Sequence, residues 1–128
     1  AIQLERAIEG YRSALERHPR LRRAQLALAD AYLAMPTAER DPGLSAEARK
    51  ALEAAAALYP THIPTRLRLA QVLDRLGRRR EARAEYAEVL RLDRLMPMAG
   101  RRLSEETRAD VEARLGALSA PAPEANSP

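Results

Sequence analysis

The feature that most limits how this chain folds is a set of small, large and proline marks returning at fixed offsets. Ala7, Tyr11, Ala14 and Pro19 recur as Ala48, Leu52, Ala55 and Pro60, all shifted by one common step. They recur again as Ala82, Tyr86 and Val89 after a second, shorter step, with Arg94 where a proline would stand. A second set, Leu28, Ala29 and Tyr32, returns as Leu69, Ala70 and Leu73, shifted by the same step as the first. Periods of this size mark stacked helical units, none of which buries its apolar face alone. An alanine in each unit lets a neighbouring helix approach, and the large residue one turn on fills the space beside it.

Composition supports the same reading. Alanine, leucine, glutamate and arginine dominate while glycine is scarce, which favours helix in nearly every window. The expected fold is an all-α solenoid of antiparallel helix pairs, with helices at 2–17, 21–35, 45–58, 63–76, 79–92 and 104–118. The repeat domain spans 1–118: a partial repeat at 1–20, a repeat at 21–62, a repeat at 63–94 and a capping helix at 104–118. The step from first to second helix is longer in the middle repeat (Tyr32 to Ala48) than in the last one (Leu73 to Ala82). An insertion is therefore placed at 36–44, where Pro36, Asp41, Pro42 and Gly43 form turns and Ser45 is the expected cap of the next helix. Ser104 is the expected cap of the last helix, with Glu105 and Glu106 in its first turn. Residues 119–128 read as a disordered tail and a true C-terminus. The N-terminal helix lacks its first-helix partner, which implies either preceding repeats or a homo-oligomer formed through that face.

The marks resemble the tetratricopeptide repeat (TPR) family over residues 1 to 94. "QLALADAY" (25–32) and "RLRLAQVL" (66–73) look like first helices, while "AIEGYRSALERHP" (7–19), "ARKALEAAAALYP" (48–60) and "EARAEYAEVLRLD" (81–93) look like second helices. The resemblance implies a protein–protein interaction scaffold whose concave groove is lined by first helices. Matching positions place Arg23, Leu26, Asp30 and Leu33 there from the middle repeat. Leu67, Arg68, Gln71, Asp74 and Arg75 come from the last. Such a groove suits an acidic–hydrophobic peptide or a partner subunit, with arginine forks on carboxylates. The family's carboxylate-clamp subgroup needs asparagines and a lysine there, whereas Asn126 lies in the tail and Lys50 on a second helix, so that likeness stops at Arg68. In composition and cap style, residues 58–95 also resemble C-terminal repeat regions of bacterial O-antigen ligase-like membrane proteins, which implies a periplasmic setting. A bacterial cytoplasmic setting stays open beside it.

Charge raises a rival reading. Residues 61–80 hold six arginines against Asp74 alone, a local +5 within a total of +4. A nucleic-acid groove, however, sustains cations along one face with aromatic platforms between them, and here no tyrosine stands among Arg66 to Arg80. Glu81, Glu85 and Glu88 follow closely, and Arg78–Glu81 and Glu88–Arg91 are spaced to pair on the helix surface. Arginine supplies nearly every cation, which points to a GC-rich bacterial coding sequence. Cysteine is absent, removing disulfides and thiolate metal sites. His18 and His62 lack partners at metal-ligand spacing, and neither a phosphate loop nor a nucleophile motif is present. Nothing points to an enzyme, a cofactor or a membrane span.

Overall fold

The computed structural model describes residues 2–35 and 41–120. Among the described residues six α-helices follow one another: α1 (Ile2–Arg17), α2 (Arg22–Ala34), α3 (Pro42–Leu58), α4 (Ile63–Arg75), α5 (Arg79–Leu95) and α6 (Glu105–Ser119). One 3-10 turn, Ala99–Arg101, lies between α5 and α6. No strand occurs among the described residues. Each helix packs on the one before and the one after, which gives an antiparallel helical array.

The recurring marks form the spine of the core. Ala29, Ala48, Ala55, Ala70 and Ala82 are all 0% exposed, so their methyl groups are the points of closest helix approach. Leu52 and Val89 are sealed as completely, and Tyr32, Leu73 and Tyr86 are buried beside them. Tyr11 and Leu15 of α1 pack against the same cluster while staying partly open to solvent. α1 is further tied to α2 by Arg12, whose Nε donates to the Tyr32 hydroxyl at 2.9 Å.

Helix ends follow local chemistry. The chain leaves α4 through a Schellman turn: Gly77 N donates to Asp74 O at 3.0 Å and Arg78 N to Leu73 O at 2.9 Å. Gly77 has positive φ, a conformation in which a Cβ is strained, so glycine is required there. α3 begins earlier than expected. Asp41, not Ser45, is its cap, with Asp41 Oδ1 accepting from Gly43 N at 2.9 Å. Pro42 fills the first turn, where a missing N–H costs nothing. A Cβ at Gly43 would meet that same Asp41 oxygen at 2.9 Å. Ser45 is instead buried inside the helix. Residues 42–44 of the expected insertion therefore belong to α3, while 36–40 lie outside the described residues. Ser104 caps α6 as expected, its Oγ accepting from Thr107 N at 3.1 Å. Ser119 closes α6, and 121–128 of the expected tail lie outside the described residues.

A polar clasp holds α6. Asp93 on α5 is only 1% exposed, yet its carboxylate accepts from Leu103 N at 2.7 Å and from Arg108 Nε at 2.9 Å. Burial alone would raise its pKa, but the Leu103 N–H and the Arg108 guanidinium outweigh burial and hold it below the usual value. Arg79, at the start of α5, donates to the carbonyls of Ala117 and Ala120 at 3.0 and 2.8 Å and so closes the C-terminal end of α6.

Candidate partner-binding groove

The first helices α2 and α4 present the expected residues unevenly. Arg23 and Asp30 are exposed on α2, with Leu26 and Leu33 half-buried beside them. On α4, Gln71 and Arg75 are exposed, and Leu67 and Arg68 are half-buried. Arg68 spans the two helices, its Nε donating to Asp30 Oδ1 at 3.0 Å across 38 residues of sequence. That pair places the stripes of α2 and α4 on one surface. Leu67, Arg68 and Gln71 line a groove of about 440 Å³ together with Pro64.

Its opposite wall was not foreseen. Arg101, Arg102 and Leu103 from the linker, with Ser104 and Thr107 from the start of α6, complete the groove. By alternation α6 stands where the next first helix would stand. That alternation, with the adjacent Arg101 and Arg102, was the available signal. Asp74 is engaged differently from its neighbours on α4. It turns towards α5 and α6, where its carboxylate accepts from Arg114 at 2.8 and 2.7 Å and from the Tyr86 hydroxyl at 3.2 Å. Burial first, then the Asp74 charge and hydrogen bond, push the Tyr86 hydroxyl up to about 12, with Arg114 opposing. Asp74 thus ties α4 to the last helix.

The arginines of 66–80 are mostly spoken for. Arg66 Nη1 donates to both oxygens of Glu85 at 3.0 and 3.2 Å, linking α4 to α5. Arg68 meets Asp30, Arg78 meets Glu81 at 3.3 Å, and Arg79 closes α6. Arg75 and Arg80 keep contact with solvent. Further along α5, Arg91 chelates Glu88, whose carboxyl is lowered chiefly by that hydrogen bond. These cations serve helix-to-helix ties more than a continuous phosphate track.

His62 lies at the N-cap of α4, its Nδ1 2.7 Å from Thr65 Oγ1. Burial, then the positive fields of Arg22 and Arg68, hold it below its ordinary value. Among the described residues no group of three metal-ligating side chains gathers, and no helix is long and apolar enough to cross a membrane.

Residues 42–95, which comprise α3, α4 and α5, match the family model of the tetratricopeptide repeat. Repeats of this kind generally mediate interaction between proteins and are typically non-catalytic. No curated protein matches the chain, and the likeness to O-antigen ligase-like repeat regions finds no support.

Proposed function

We propose that the chain is a non-catalytic docking module that holds an acidic–aliphatic segment of a protein partner on the surface that α2 and α4 share and in the groove beside α4. The observation that carries this reading is the Arg68–Asp30 bridge, which draws the exposed stripes of two first helices into one surface. Leu26, Leu33 and Leu67 offer half-buried apolar shelves on that surface. Both side chains of the bridge stay open to solvent, so the pair contributes little stability and is readily exchanged for a ligand carboxylate. Arg75, further along α4, supplies a second fork. Rigid helices hold these groups in place before binding, which lowers the ordering cost.

Panning a random peptide display library tests this reading. The wild type is expected to enrich peptides combining Asp or Glu with Leu, and Arg68→Glu/Arg75→Glu to lose the part of that set held by the groove. Asp30→Asn, which frees Arg68, is expected to tighten the selected peptides about threefold. Equal enrichment by wild type and the double variant would sink the proposal.

A further inference from the structure

A second cavity, of about 770 Å³, opens at the edge of the array where second helices hand over to first helices. Its walls come from three separate places: Arg22 at the start of α2, residues 58–64 between α3 and α4, and Met96, Gly100 and Arg101 after α5. Every charged group among the described residues on that lining is basic, and none is a carboxylate. Among the described residues neither Arg22 nor Arg101 forms an ion pair.

Arg22 is also held in place. Its guanidinium carbon lies 4.7 Å from the centroid of the Tyr59 ring, and the Tyr59 hydroxyl donates to Arg20 O at 3.0 Å. A cation stacked in this way loses little further freedom on meeting an anion. Between the cations the wall is aliphatic, from Leu58, Ile63 and Met96. The volume falls within the range of ligand sites and exceeds what one side chain fills. We propose that this edge cavity is a docking site for an acidic–aliphatic peptide segment of a protein partner, with Arg22 and Arg101 on its carboxylates and Leu58 and Met96 against its aliphatic side chains.

Nucleic acid fits the same surface less well. Single-stranded bases need open aromatic faces on which to stack, and here the Tyr59 ring already carries Arg22. The site adjoins the groove beside α4 only through Ile63, Pro64 and Arg101, while Arg22 belongs to the edge cavity and Arg68 to the groove. The two readings therefore separate experimentally.

The probe is a fluorescein-labelled Asp-Asp-Leu-Asp-Asp-Leu peptide, titrated by anisotropy against the full chain. In the Arg68→Glu/Arg75→Glu background, which removes the forks of the neighbouring groove, the peptide is expected to stay bound, and there Arg22→Glu is expected to weaken it about tenfold and the gentler Arg22→Gln about threefold. Circular dichroism checks that each variant stays helical. The imidazole of His62 is an independent reporter, because it shares the cavity wall with Arg22 of α2 and Arg101 of the linker and feels Arg68 of its own helix. A bound carboxylate offsets those positive fields, so the His62 NMR titration midpoint is expected to rise with peptide. The proposal is overturned if the peptide fails to bind at millimolar concentration, if Arg22→Glu binds as tightly as its background, or if His62 does not move. Loss confined to Arg68→Glu/Arg75→Glu moves the peptide to the neighbouring groove and removes the edge site alone. Displacement by an oligothymidine strand as readily as by unlabelled peptide replaces the protein partner with nucleic acid.

Discussion

α3 and α4 give the core Leu52, Ala55, Ala56, Ile63 and Ala70, none more than 5% exposed. α6, with almost no amphipathic bias, gives only Val111 and Leu118. The middle of the array is thus held chiefly by close-packed methyl groups, with the Arg66–Glu85 and Arg68–Asp30 pairs at its surface. Its last helix is held by Asp93 on Arg108 and Leu103, Asp74 on Arg114, and Arg79 on two carbonyls. The difference teaches that one array carries two kinds of seam. The apolar one depends on shape and the polar one on satisfied charge, so they fail under different conditions.

Substitution at the centre should break the contrast most strongly. Leu52→Ala leaves a void at a fully sealed position and is expected to cost about 3 kcal/mol, read as an earlier urea midpoint for the whole chain. Asp93→Ala strips a buried amide and a guanidinium of their acceptor. Its expected cost, on the order of 2 kcal/mol for the unsatisfied donors, should concentrate in α6 when read by hydrogen exchange, while amides of α3 and α4 keep their protection. Uniform loss across all helices would mean that the two seams are one. Next comes Gly77→Ala, expected to cost about 1 kcal/mol by forcing a Cβ to positive φ, measured by thermal unfolding.

Acidity sharpens the comparison further. Asp93 has its folded pKa depressed, so its contribution is fully present above the unfolded value and is lost as pH falls through the folded one. Exchange of α6 amides should therefore accelerate below about pH 4, ahead of α3 and α4. The smallest effect belongs to His62. A histidine with a lowered folded pKa leaves the unfolded chain binding more protons, so stability should decline as pH falls through about 6.5. His62→Gln should abolish that part of the slope in urea titrations run on either side of that value.

The helices and the apolar seam were legible in the chain itself, because alanine and leucine spacing is local information written into each turn. Ser104 likewise announced the end it governs. The start of α3 was missed because two capping residues stand close together, and Pro42 at the first helical turn decides for Asp41. Most of the polar seam was hidden. Arg66 finds Glu85 19 residues away, Arg68 finds Asp30 at 38, and Arg114 finds Asp74 at 40. Guanidinium groups on long flexible stems meet partners that helix stacking delivers, and no short-range pattern records the meeting. Asp74 looked like a groove residue for the same reason. Its partner on α6 was invisible from α4.

Packing between chain neighbours has a mechanical meaning. Helix-to-helix contacts stand in series from α1 to α6, and among the described residues no sheet fastens distant parts in parallel. A tension drawn between Ile2 and Ser119 therefore runs through every consecutive contact, and the Arg68–Asp30 and Arg114–Asp74 bridges, each of which skips one helix, take part of it. Such a chain stretches like a spring of unequal coils, and the coil that slips first sets the force it transmits.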